Sequence, residues 1–231
     1  MSLLSNRNHH NISNTSRPPI WADLTLLAGC IAISYFKPLP FPWKVPLIAA
    51  IIIGYIYFFY RDLVPIGIKK VNLKSTLLWG TGIALIVVIA ISNLLSPLLE
   101  FLLDEEVDLT SFEIVKGNFS LLADLWWKAM ISAAIAEEIF YRGFCFYVLE
   151  RLLGTGTWQK IAIVLLTSIY FGLSHAAQGV TGVVGIIAAS IVIGGGYYLS
   201  KRNLFAVIVG HALIDTWSLY TLYKGDIYLF F

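Results

Sequence analysis

The sequence predicts an all-α fold, a polytopic transmembrane helix bundle of about seven spanning helices with a polar site inside the membrane. Composition is the first reason: 58% of the 231 residues are hydrophobic and 13% are charged, whereas soluble domains carry roughly a quarter charged residues. Length of the apolar runs is the second. The uncharged stretches 76–95 and 181–200 reach the roughly 18 to 20 residues that cross about 30 Å of hydrocarbon. The third is a small, ordered set of ionisable residues lying within such runs, where each is costly unless it faces protein or water.

Hydrophobic runs place the helices near residues 21–36, 43–60, 76–99, 120–149, 159–178, 181–200 and 204–223. Connections are short and no polar stretch is long enough to fold separately, so residues 21–231 are expected to form a single membrane domain. Residues 1–20, with Asn6, Asn8, Asn11, Asn14 and Pro18-Pro19, are polar and aperiodic, which predicts a disordered tail and not a cleavable signal peptide. His9 and His10 in that tail lack the further ligands of a closed metal site. Cys30 and Cys145 lie in apolar runs far apart in sequence, without C-x-x-C spacing, and are expected to be packing residues.

Net charge is +2, too small to suggest nucleic acid as a partner; its distribution is more informative. Assigning alternate loops to opposite sides puts Arg7, Arg17, Arg61, Lys69, Lys70, Lys74, Arg151, Lys160, Lys201 and Arg202 on one face. The positive-inside rule makes that face, and the N-terminus, cytoplasmic. The opposite face receives Lys37, Lys44, Lys116 and Lys224, and its longest loop carries Glu100, Asp104, Glu105, Glu106, Asp108 and Glu113. In the sixth segment the small residues Gly182, Gly185, Ala188, Ala189 and Gly194 to Gly196 predict close packing between helices.

Chemistry concentrates in three segments. The fourth carries Glu137, Glu138 and Arg142 in an apolar context. Glu138 and Arg142 are four apart and can pair along one helical face, so a buried ion pair that fixes packing accounts for both. Glu137, rotated by about 100° from its neighbour, has no such local partner. Desolvation would push its carboxyl toward the range useful for proton transfer. The fifth segment ends Phe171-Gly172-Leu173-Ser174-His175, and the seventh contains His211 and, one turn on, Asp215. Both histidines are expected within membrane segments. Phe171, one turn from His175, reads as a packing residue that holds that ring.

The string Glu137-Glu138-x-x-x-Arg142, then Phe171-x-x-x-His175, then His211-x-x-x-Asp215 resembles the three ordered motifs of the CPBP family of intramembrane proteases, which includes the type II CAAX prenyl endopeptidases and Abi-like, bacteriocin-processing members. The resemblance covers residues 120–223, a catalytic core of helices, with 21–119 as N-terminal transmembrane helices alike only in being apolar. It implies an endopeptidase that hydrolyses a bond of a membrane-associated protein or peptide through an activated water. Glu137 would then be the general base and His175 its partner in positioning that water. His211 and residue 215 would stabilise the oxyanion, and Glu138, Arg142 and Phe171 would brace the site. The family's third motif often ends in Asn, a donor, where this chain has Asp215, which only accepts when ionised. Asp215 is therefore left between the oxyanion role, orientation of His211, and a metal site.

Family naming implies a metalloendopeptidase, and Glu, His and Asp are competent ligands for zinc or another divalent metal. The H-E-x-x-H helix of zincins is nevertheless missing, and a metal-free, glutamate-activated mechanism is equally open. Two other function classes share these features. Intramembrane Glu and His also serve proton-coupled transporters, although no inverted repeat is detectable. A non-catalytic immunity or scaffold protein could retain the same helices. Substrate identity and oligomeric state are not legible; the expected partners are a peptide or protein substrate and the lipid bilayer.

Overall fold

The computed structural model describes residues 17–36 and 39–225. The expectations for most of the N-terminal tail, including Arg7, His9 and His10, and for Lys37 lie outside the described residues. Seven principal helices follow in order: α1 (Ile20–Phe36), α2 (Lys44–Tyr60), α3 (Leu73–Leu103), α4 (Phe119–Leu153), α5 (Thr157–Leu173), α6 (Gly179–Leu199) and α7 (Leu204–Lys224). Among the described residues there are no strands. Four helices are long and apolar enough to cross a membrane: α3, α4, α7, and α6 together with the short turn before it. The 17-residue helices α1, α2 and α5 measure about 25 Å at 1.5 Å per residue, short of a full crossing without help from flanking residues.

Local signals explain where the helices begin. Asn72, Asn118 and Asn203 cap α3, α4 and α7, each side chain accepting from a backbone N–H three residues on. Gly225 closes α7 with φ 80°, the left-handed position that glycine adopts without steric penalty. α3 lies against α7 because both present glycine at the crossing. A Cβ on Gly80 would come within 2.6 Å of Val209 and 2.9 Å of the Ala206 carbonyl, so only hydrogen fits there. In α6, Gly194 packs within reach of Phe146 and Val164, as its small-residue stripe predicts, while Gly195 faces open space.

Two features depart from the sequence reading. The fifth segment, predicted to run to residue 178, stops at Leu173, so His175 follows the helix and does not sit within it. The reason is local. The Ser174 hydroxyl donates to the Phe171 carbonyl at 2.6 Å, competing for a group that helix continuation needs, and the His175 N–H tightens onto the Gly172 carbonyl at 2.9 Å. Gly179, at φ 78°, then restarts the chain as α6.

The second departure is that two helices are not regular throughout: α3 widens into a π-helix over Val87–Leu95, and so does the middle of α4. In α4 the π-helical turns run over Met130–Glu137 and Ile139–Cys145, on either side of Glu138. π turns are rare and cluster at functional sites. Their longer turn shifts side-chain directions away from the 100° step assumed from sequence, and that shift governs where the two glutamates point.

Candidate active site

The wide turns of α4 give its two glutamates different surroundings. Glu138 is fully buried. Its Oε1 accepts from Arg142 Nη1 at 2.7 Å and lies 2.7 Å from Nδ1 of His211 in α7. Arg142, itself 1% exposed, also donates through Nη2 to the Ser190 hydroxyl at 2.8 Å, and its guanidinium stacks 5.0 Å from the centre of the Phe171 ring. One carboxylate thus ties together α4, α6 and α7. A charge buried this deeply is tolerable because it is paired and hydrogen-bonded; removing one partner of such a pair typically costs about 3–5 kcal/mol.

Phe171 takes a larger part than a packing residue in α5 would suggest. Besides stacking on Arg142, its ring contacts those of His175, at 4.9 Å between centroids, and His211, at 6.3 Å. Gly172 beside it lets α5 close on α6, since a Cβ there would lie 2.9 Å from the Val183 carbonyl. The Phe171 carbonyl accepts from Nδ1 of His175 at 2.9 Å. That bond assigns the proton to Nδ1 in the neutral ring and leaves Nε2 free to accept.

Glu137 is half-buried and has no hydrogen bond or ion pair among the described residues. It lines a cavity of about 380 Å³ together with Phe171, His175, His211 and Asp215. Ser132, Ala133, Ile186, Ala189 and Ser190 supply more of the wall. A second space, of about 790 Å³, shares Lys44, Val45, Glu137 and His175 with the first and adds Ile31, Tyr35, Phe140, Tyr141, Tyr170 and Leu173. Glu137 and His175 therefore stand where two largely apolar spaces meet, a combination suited to holding an extended peptide with a bulky side chain.

His211 is held from both sides. Besides Glu138 at Nδ1, its Nε2 lies 3.5 Å from Oδ1 of Asp215, a loose contact along the i,i+4 face of α7. The other oxygens of the two acids, Glu138 Oε2 and Asp215 Oδ2, are buried without a hydrogen-bond partner among the described residues. Among the described residues no three His, Cys, Asp or Glu side chains are gathered as a metal site requires. Both nitrogens of His211 already face carboxylates, and Nδ1 of His175 is taken by a carbonyl. The donor set therefore does not fit a resident metal.

Every catalytic or site-bracing residue expected from the sequence lies in the segment 119–217, which matches the family model described as Type II CAAX prenyl endopeptidase Rce1-like. This segment is similar to the Rce1-like endopeptidases. The chain, with four helices long and apolar enough to span, is an integral membrane protein. No curated protein and no solved structure matches the chain. The cavity wall extends beyond the matched segment: Phe41, Lys44 and Val45 come from α2 and the residues before it.

Those α2 residues, with Ser190, were missed in the sequence. Lys44 donates to the Ser34 carbonyl at 3.0 Å and has no carboxylate partner among the described residues. Its single signal was a lysine opening an otherwise uncharged helix. Ser190 gave none, being one of many small residues in α6.

Proposed function

We propose that the chain is an intramembrane endopeptidase that hydrolyses a peptide bond of a membrane-associated protein or peptide with a water activated by Glu137 and His175. The observation that carries this reading is the shared cavity: Glu137, His175 and His211 line one space, and the acid among them makes no hydrogen bond or ion pair among the described residues. A water between Glu137 and Nε2 of His175 would donate to both, turning its lone pair toward a substrate carbonyl. Glu137 then takes the proton as the bond forms and returns it to the leaving amine. No metal enters these steps, which are carried by side chains and water.

His211 is the group on which developing negative charge would fall. Glu138 fixes its ring through Nδ1 at 2.7 Å, whereas Asp215 holds Nε2 only at 3.5 Å. That length is weak for a hydrogen bond, so the Nε2 proton can transfer its interaction to the substrate oxygen as the tetrahedral intermediate forms. A donor already aimed in a water-poor site contributes most in that moment. Asp215 in this reading keeps the proton on Nε2 and orients the ring; it does not itself contact the oxyanion. Glu138, Arg142 and Phe171 hold His211 and His175 at the right separation.

The test combines two measurements. Comparing the peptide termini of cells carrying the native chain and Glu137→Ala identifies substrates, and purified protein then cleaves one of them in vitro. Loss of cleavage in both Glu137→Ala and His175→Ala, with the proteins still folded, is expected. Native rates in either variant would refute the assignment of roles.

A further inference from the structure

The two ends of the bundle differ in charge, and the cavity draws wall residues from the connections of only one of them. At the first end the connections α2–α3 and α6–α7 carry Arg61, Lys69, Lys70, Lys201 and Arg202, and they are bound to each other. Lys69 Nζ donates to the Lys201 carbonyl at 2.6 Å, Arg202 to the Pro65 carbonyl at 2.8 Å, and the Leu204 N–H to the Gly67 carbonyl at 3.2 Å. This end is one joined basic surface. At the other end the α3–α4 connection carries Glu105, Glu106, Asp108 and Glu113, and it is tied to the turn between α5 and α6. Glu105 accepts from the Val180 N–H at 2.6 Å and, through its carbonyl, from the Thr181 hydroxyl at 2.8 Å; the Asp108 N–H donates to the Gln178 carbonyl at 3.1 Å.

The smaller cavity draws wall residues from this acidic end: Phe41 before α2, Phe112 from the α3–α4 connection and Gln178 after α5. Among the described residues, none that lines either space comes from the basic connections. Lysine and arginine in short loops are retained on the cytoplasmic side, whereas acidic residues have little effect on orientation.

We infer that the basic end, with the N-terminus, is cytoplasmic, that the cavity therefore opens to the non-cytoplasmic side, and that its substrate is a peptide presented there, not a lipid-anchored tail in the cytoplasm. The last part rests on the hydrolase reading above; the sidedness does not. The reaction class that supplies such a substrate is export or membrane insertion, which must deliver the scissile bond past the bilayer before cleavage.

A labelling experiment on intact cells expressing the full chain tests sidedness without any assay of catalysis. Lys70 and Glu106 are exposed and lie at opposite ends, and the native Cys30 and Cys145 are buried. A membrane-impermeant maleimide should label Glu106→Cys and Gln178→Cys in intact cells and Lys70→Cys only after lysis, with the native chain unlabelled. The reverse pattern overturns the inference. Its second arm maps the bonds whose cleavage depends on Glu137: all should lie in extracytoplasmic segments, and cuts in cytoplasmic tails would overturn the substrate assignment even with the expected labelling. If no cleavage depends on Glu137, the hydrolase reading and the substrate assignment fall together, while the labelling still decides on which side the cavity opens.

Discussion

Two of the clusters of buried charge in this bundle are built on opposite plans. Near the basic end, Asp23 of α1 is fully buried with both carboxylate oxygens engaged. Oδ1 accepts from Tyr55 at 2.8 Å and faces Tyr147 at 3.5 Å, and Oδ2 pairs with Arg151. Tyr60 and Tyr147 share a further bond of 2.9 Å, and Arg151 also donates to the Pro18 carbonyl at 2.9 Å. In the other cluster, among the described residues, Glu138 and Asp215 each keep one oxygen without a hydrogen-bond partner, Glu137 makes no hydrogen bond or ion pair, and a cavity adjoins the group. A saturated network adjoining neither space of the site resists change and fastens α1 and α2 to α4. An unsaturated one beside a cavity has acceptors left over for water and substrate. Burial of charge by itself does not distinguish structure from chemistry; residual hydrogen-bonding capacity does.

That contrast can be broken by experiment, beginning where the largest effect is expected. Glu137→Gln should lower cleavage of an identified substrate by roughly 10²–10⁴-fold, the usual contribution of a general base, while leaving the thermal unfolding of purified protein near native. A variant that unfolds early would move Glu137 to the structural class. Arg142→Ala strands Glu138 in the protein interior and should destabilise by about 3–5 kcal/mol, seen as a large drop in unfolding midpoint. Near-native stability there would mean that water solvates Glu138 and that the pair is not closed.

The saturated cluster should give the opposite pattern. Asp23→Asn removes the charge that Arg151 faces and should cost about 1–3 kcal/mol, with the turnover per folded molecule unchanged. A lowered turnover at native stability would show that this cluster communicates with the cavity. Tyr55→Phe deletes a single donor and should cost about 1 kcal/mol, measured as a small midpoint shift; a larger effect would mean that the Asp23 network is cooperative beyond its pairwise bonds.

Much of this molecule is legible in its sequence because lipid imposes simple rules. All seven apolar runs are helices, and the pairing of Glu138 with Arg142 follows from four-residue spacing along a chain too apolar to leave either charge alone. The end of α5 was not legible: hydropathy continues smoothly through Ser174 and His175, and only the bond from the Ser174 hydroxyl to the Phe171 carbonyl shows that the helix has stopped. Asp23 was overlooked for a related reason, since one acid in an apolar run signals burial without naming its partners.

Sequence alone determined the helices, their alternation of charge between two ends, and the set of ionisable residues that must find protein or water, because the cost of a polar group in hydrocarbon depends only on what that group is. Which of those residues meet was decided by tertiary structure. His211 reaches Glu138, from a position 73 residues away, and the cavity gathers Glu137, His175 and Asp215 around it because the π-helical turns of α4, the early stop of α5 and the register of α7 act together. Distance between side chains on different helices depends on packing, and packing has no local code.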